Sequence, residues 1–151
     1  MGLLDGKVIL ITGAGNGIGK CHALACAAEG AKIVVNDLGG SRHGEGTDDS
    51  AASIVVEEIK QMGGEAVANF DSVTDPEGTD RMVAAAIDNW GRLDAVVNNA
   101  GILRDITFKK MDDSQWNAVL DVHLNGTKNV CKSALPALTA AAEAHGFASA
   151  V

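Results

Sequence analysis

The sequence predicts an α/β fold: a doubly wound parallel sheet with strand order 3-2-1-4 and helices on both faces. Three observations carry that expectation. Apolar runs of strand length alternate with segments whose apolar residues recur at helical spacing. The first run, Lys7-Val-Ile-Leu-Ile-Thr, leads straight into the glycine-rich turn Gly13-Ala-Gly-Asn-Gly17-Ile-Gly19. The second, Lys32-Ile-Val-Val-Asn-Asp37, ends in an acid.

In order along the chain, Gly13 lets the backbone turn sharply off the first strand. Gly17 and Gly19 leave no side chain between backbone and a bound pyrophosphate, or between helix and sheet. The helix that opens at Asn16, Gly17, Ile18 and Gly19 turns its free N–H groups and the positive end of its dipole toward an anion. Asp37 is expected to accept hydrogen bonds from the adenosine ribose hydroxyls and to repel a 2′-phosphate, which favours NAD over NADP. A flavin dinucleotide competes on the same logic, and packing alone also puts glycines in such turns. No Walker lysine follows the glycines, which argues against a nucleoside-triphosphate loop.

Leu38 to Thr47 reads as a polar, glycine-rich loop close to the adenosine. Asp48 or Asp49 then caps a helix carrying Ile54, Val55, Glu58, Ile59 and Met62, and Gly63-Gly64 stops it. Ala66 to Phe70 is the expected third strand, with Asp71, Ser72 and Val73 at the carboxyl end, where such sheets bind ligands; a plain turn would also use Asp-Ser. Asp75-Pro76 opens a helix with Met82, Val83, Ala86, Ile87 and Trp90 on one face, and Gly91 ends it. Leu93 to Val97 is nearly unbroken apolar sequence, as in a parallel strand buried on both sides. Asn99, Ala100 and Gly101 follow it. Small residues there let the backbone approach a cofactor and an asparagine can hold the loop, although a simple tight turn would look the same.

Asp112 or Asp113 caps the last helix, where Trp116, Leu120, His123, Thr127, Val130 and Ala134 recur at intervals of three and four, so His123 is expected on the inward stripe. Asn125 falls off that face. Gly126 weakens the helix and permits a kink, Pro136 need not end it, and His145-Gly146 is a good stop. With no internal repeat and no linker, residues 1–151 are expected to form a single domain.

Composition narrows the function. Hydrophobic residues at 46% and charged residues at 21% suit a soluble globular chain, and no apolar run approaches membrane-spanning length. A formal net charge of -8 disfavours nucleic acid and anionic membrane as partners. Arg104, Lys109 and Lys110 are a candidate basic patch for an acidic substrate, with a solvated loop as the plainer reading. Cys21, Cys26 and Cys131 are too scattered for a metal site and are expected to be buried thiols. The start Met1-Gly-Leu-Leu-Asp lacks the pattern of a signal peptide, and Ala148-Ser-Ala-Val151 carries no peroxisomal Ser-Lys-Leu address, so a cytoplasmic location is expected.

The spacing Thr-Gly-x-x-x-Gly-x-Gly at 12–19, together with Leu93-Asp-Ala-Val-Val-Asn-Asn-Ala-Gly101, resembles the short-chain dehydrogenase/reductase family. Asn36-Asp-Leu-Gly-Gly40, Ala66-Val-Ala-Asn-Phe-Asp-Ser-Val73, Asn98 to Asp105 and Val122-His-Leu-x-Gly126 are similar to the (3R)-hydroxyacyl-CoA dehydrogenase modules of type 2 multifunctional enzymes and their bacterial relatives. The resemblance, from about Leu4 to Leu138, implies a Rossmann-type fold and an NAD-dependent oxidoreductase acting on a hydroxyacyl-CoA, steroid-like or other secondary alcohol or ketone. It also implies a homo-oligomer, places the adenine ring by Asp71, Ser72 and Val73, and puts His123 where the family has a catalytic asparagine.

The family's proton transfer uses a serine and a Tyr-x-x-x-Lys pair, because an alcohol proton must leave as hydride departs. This sequence contains no tyrosine. The expectation is therefore a cofactor-binding half, truncated before the fifth strand and inactive alone. A non-catalytic NAD-binding or assembly module is the alternative, and a shortened enzyme with His123 as proton relay a weaker third. The truncated edge of the fourth strand is expected to promote association.

Overall fold

The computed structural model describes residues 2–39 and 50–145. Four strands, β1 (Val8–Thr12), β2 (Lys32–Asn36), β3 (Glu65–Asn69) and β4 (Ala95–Val97), form one sheet in the order β3-β2-β1-β4. Every pairing is parallel. Helices α1 (Gly17–Ala28), α2 (Ser50–Gln61) and α3 (Pro76–Trp90) connect the strands in turn. After β4 come a 3₁₀ turn at Phe108–Lys110, helix α4 (Asp113–Leu120), a π-helical segment at Asp121–Gly126 and helix α5 (Thr127–His145).

The run Val-Ile-Leu-Ile-Thr makes a strand buried at every position because its alternate residues feed two cores. Ile9 and Ile11 pack with Ile33, Val35, Ala23, Val55 and Ile59 on the α1/α2 side. Val8 and Leu10 pack with Val34, Val96, Met82, Leu93, Val130 and Leu138 on the α3/α5 side. The chain runs outward from β1 to β3, then crosses back to lay β4 on the other flank of β1. The reversal falls between β1 and β4, and the loops above that point open a crevice.

Several boundaries differ from expectation for identifiable reasons. β4 begins at Ala95 rather than Leu93 because Asp94 makes its rung through its side chain: its Oδ2 accepts the Val8 N–H at 2.9 Å while its own N–H donates to the Val8 carbonyl. β3 starts one residue early and ends at Asn69, with Glu65 opposite Lys32 in the ladder and ion-paired to it at 3.0 Å. In α2 the buried stripe is Ala52, Val55, Val56 and Ile59, while Ile54 and Met62 are 53% and 56% exposed. Two apolar lines run along that helix, and the sheet selected the one with the small Ala52. The caps proposed at Asp48 and Asp49, most of the 38–47 loop and the Gly146 stop lie outside the described residues. Asp75 caps α3 by accepting the Glu77 N–H, with Pro76 following, and Gly91 closes it at φ +72°.

The largest correction concerns the last helical stretch. Asp112 caps α4 with a reciprocal capping box to Gln115, and Pro136 is carried inside α5. The expected inward stripe divides: Val130 and Ala134 are buried, whereas His123 is exposed, Trp116 is 50% exposed, and α4 buries no residue. The π-helical segment between them explains the split. Its i→i+5 bonding accommodates an extra residue, so side chains before and after it no longer share one face.

The cysteine expectation is also corrected. All three are free, but Cys21 is exposed and Cys26 and Cys131 are half-buried; partial burial pushes the Cys26 thiol up.

Candidate functional site

A cleft of about 690 Å³ lies over the carboxyl ends of all four strands. Gly13, Asn16, Gly17, Asp37, Asp71, Ser72, Val73, Asn99, Ala100 and Gly101, all singled out from the sequence, line it. Two others do not. Ile18 is an exposed side chain on the first turn of α1, and Gly19 is buried beneath the turn.

The glycines divide the work. At Gly19 a Cβ would stand 2.2 Å from the Gly13 carbonyl oxygen and 2.5 Å from Asn99 Nδ2, so only glycine lets α1 approach the end of β1 this closely. Gly17 has φ +54° and open space where a Cβ would be, on the cleft side. Asn16 caps α1 in extended conformation without a side-chain hydrogen bond, which leaves first-turn N–H groups without a side-chain cap.

The floor of the cleft is a junction between β1 and β4. The Thr12 hydroxyl accepts the N–H groups of Asn99 and Ala100, both at 3.1 Å, and donates to the Val97 carbonyl at 3.4 Å. The Asn99 amide donates to the carbonyls of Thr12 at 3.0 Å and Gly13 at 2.9 Å. Asn99 therefore holds the glycine turn in place. Thr12 was not among the sequence-derived candidates, although a threonine at the last position of an apolar strand, just before a glycine turn, is a readable signal.

Asp37 sits at the end of β2 with both oxygens engaged: Oδ2 accepts the Gly15 N–H and Oδ1 the Gly39 N–H, each at 2.7 Å. Each carboxylate oxygen takes about two hydrogen bonds, so a diol facing this side chain finds acceptors still open. Asp71, at the end of β3, has its carboxyl below the ordinary carboxylate range. Burial alone would push it up, but hydrogen bonds from Arg81 and Asn69 and the Arg81 charge outweigh that.

His123 belongs to the π-helical segment and does not line the cleft. Its ring covers Gly101, where a Cβ would stand 2.7 Å from His123 Cε1. His123 Nε2 lies 3.1 Å from the Ile102 N and 2.9 Å from the Ile102 carbonyl oxygen; in a given tautomer it accepts from the first or donates to the second. Asn125 is exposed and donates to Asp121. Of the basic candidates, Arg104 lines the cleft, and Lys109 and Lys110 are exposed on the 3₁₀ turn. Among the described residues no cluster of metal-ligating side chains exists, and no helix is long and apolar enough to cross a membrane.

The family model described as "short chain dehydrogenase" matches residues 7–146. This chain belongs to the short-chain dehydrogenase family. It is 53% identical over 128 residues to the peroxisomal multifunctional enzyme A of Dictyostelium discoideum, covering 85% of the chain and 28% of that protein. It is 51% identical over 130 residues to the peroxisomal multifunctional enzyme type 2 of Mus musculus, covering 86% of the chain and 17% of that protein. Among solved structures, carveol dehydrogenase from Mycobacterium avium in complex with NAD superposes with a TM-score of 0.85 at 28% identity, over 93% of the chain and 52% of that structure. The chain thus spans about half of that carveol dehydrogenase and much less of the multifunctional relatives. Their names correct one expectation: similar proteins are called peroxisomal, which points to the peroxisome rather than the cytoplasm.

Proposed function

We propose that the chain is the NAD-binding part of an oxidoreductase that moves hydride between NAD and a secondary alcohol or ketone, of hydroxyacyl-CoA or steroid-like type. One observation carries this reading: a single cleft at the sheet's topological switch point is lined by an open glycine turn, an uncapped helix N-terminus and the Asp37 carboxylate. The parts fit a dinucleotide. Gly17 leaves room for a pyrophosphate, the α1 N–H groups supply donors, and Asp37 keeps acceptors for a ribose diol. Asn99, Ala100 and Gly101 bring backbone rather than side chain to the far end, where the nicotinamide, which accepts or gives the hydride, has room. The NAD complex of the carveol dehydrogenase supports the cofactor class.

The base that takes the alcohol proton is assigned to residues beyond these 151, because the family's tyrosine has no counterpart here. Self-association is part of the proposal. Trp116, Phe108 and Leu120 form an exposed aromatic and aliphatic surface, and β4 has one strand neighbour among the described residues. A stable monomer at high concentration in size-exclusion chromatography would count against it.

Calorimetric titration with NAD and with NADP tests the reading: NAD is expected to bind and NADP to bind far more weakly. Asp37→Ser combined with Leu38→Arg should weaken NAD at least tenfold and shift preference toward NADP. An untouched preference would mean that Asp37 does not face the ribose. Because Asp37 also holds the Gly15 N–H, the double change should lose more NAD affinity than it gains for NADP. The absence of tyrosine favours a second reading, a non-catalytic NAD-binding or assembly module; NAD binding with no oxidation of any hydroxyacyl-CoA or steroid alcohol, even by the longest form of the protein, would select it. Use of His123 as a base fails if His123→Ala leaves a measurable activity unchanged.

A further inference from the structure

Residues 98–107, which follow β4, belong to no helix or strand, so their N–H groups need partners from elsewhere. Asn99 and Ala100 turn theirs to Thr12, and Ile102 turns its own to His123 Nε2 at 3.1 Å, its one acceptor among the described residues. The same Nε2 is 2.9 Å from the Ile102 carbonyl oxygen. One ring nitrogen thus faces a donor and an acceptor of a single residue, and it serves only one of them at a time.

The histidine is held on its own side. Its ring lies on Gly101, where a Cβ would stand 2.7 Å from Cε1 and 3.1 Å from Nε2, and the Thr127 hydroxyl donates to its carbonyl at 2.8 Å. At the end of the same π-helical segment Gly126 is pressed on Val73, another residue of the cleft, where a Cβ would stand 2.6 Å from Val73 Cγ2. The side that yields is therefore the loop with Gly101 and Ile102, both of which line the cleft. His123 is exposed, so solvent protons reach it. The charged side chains on the elements around it are Asp121 on its own segment, Arg104 and Asp105 on the loop, Lys128 at the start of α5 and Asp113 at the far end of α4. Asp121 accepts from Asn125 and Arg104 donates to the Leu103 carbonyl; among the described residues no ion pair reaches the ring.

We propose that His123 is a positioning residue whose bare Nε2 holds the Ile102 N–H, and that protonation of the ring releases this wall of the cleft and weakens ligand binding. For its ligand this rests on the dinucleotide reading above. In the neutral ring with its proton on Nδ1, Nε2 accepts, which is what the aim of the Ile102 N–H requires. A second proton, taken from solvent onto Nε2, removes the acceptor. The imidazolium can only donate, so it turns to the Ile102 carbonyl and leaves the N–H without a partner. Histidine is the side chain whose ordinary charge change falls between pH 5 and 8, so the exchange falls near neutrality.

The test joins nitrogen-15 NMR of the histidine rings to calorimetric titration with NAD at about pH 8 and about pH 5.5, which bracket the histidine range. At the higher pH, Nε2 of His123 should be the unprotonated nitrogen; a neutral ring with its proton on Nε2 overturns the proposal. On acidification the Ile102 amide signal should follow the titration of the ring, and NAD affinity should fall about two- to tenfold, the scale of one hydrogen bond. His123→Gln supplies a carboxamide of similar reach that carries an acceptor and a donor at every pH, so it should keep binding NAD and lose the slope. His123→Ala should bind more weakly at both values, also without slope. An equal slope in the unmodified protein and the Gln variant overturns the proposal while leaving the dinucleotide reading intact. Absence of NAD binding at either pH overturns the dinucleotide reading, and the Ile102 amide then decides alone: a signal that ignores the ring's titration overturns the positioning role as well.

Discussion

The sheet with α1 to α3 and the segment between β4 and α5 are built on different terms. In the first, every apolar residue of β1 and β2 belongs to one of two buried clusters, and even polar chain ends are tied down, as at Asp94, Asn99 and Asn69. In the second, α4 buries nothing, Leu103, Phe108, Trp116 and Leu124 face outward, and Phe108 meets Trp116 edge to face at 6.5 Å. The cleft lies between them. A pattern that closes on itself makes a stable floor, and a pattern that leaves its apolar residues outside needs a further surface to complete it.

Substitutions on the two sides should separate this difference cleanly. The largest loss is expected from Leu10→Ala, which opens a cavity in the central strand and should cost about 2–5 kcal/mol in denaturant unfolding. Gly19→Ala comes next: with the Gly13 oxygen and Asn99 amide in the way, about 1–3 kcal/mol of stability is expected to go, along with most NAD affinity, measured by calorimetry on the remaining folded protein. Thr12→Val keeps the shape but strands the Asn99 and Ala100 N–H groups, for about 1–3 kcal/mol.

A smaller effect is expected from Asp94, whose carboxyl burial pushes up but which Arg92, the Val8 N–H and Lys7 together hold below its ordinary value of 3.8. A lowered folded value means that its contribution is whole above that pH and is lost as pH falls through the folded value. Asp94→Asn should therefore flatten the acid limb of a stability curve below about pH 4 while lowering the plateau at neutral pH. The smallest change is predicted for Trp116→Ser, within about 0.5 kcal/mol for an isolated chain. If that substitution instead costs several times more at high protein concentration, the outer surface is covered by another copy.

The cleft was legible wherever one residue's chemistry sufficed. A glycine turn between strand and helix, and an acid at the end of the next strand, mark locally where the cleft lies. The supporting residues were not legible in that way. Asn69 reads as an ordinary polar strand end, and its partner Asn36 lies 33 residues away; only the pairing of β2 with β3 makes them neighbours. Asn129 is similar: it sits beside Val130 on the buried face of α5 and donates to the Val73 carbonyl at 3.1 Å, steadying the cleft wall. The stripe through His123 failed for another reason. Counting by threes and fours assumes unbroken α-helical bonding, and the six residues at Asp121–Gly126 depart from it.

β1 is paired on both flanks and covered on both faces. Its amides should exchange with solvent only when the whole domain opens, those of α4 far sooner. A ligand seated above Thr12 would thus rest on the slowest-breathing part of the molecule and beneath one of its fastest, so that the rate at which the cleft admits and releases a ligand belongs to the roof alone.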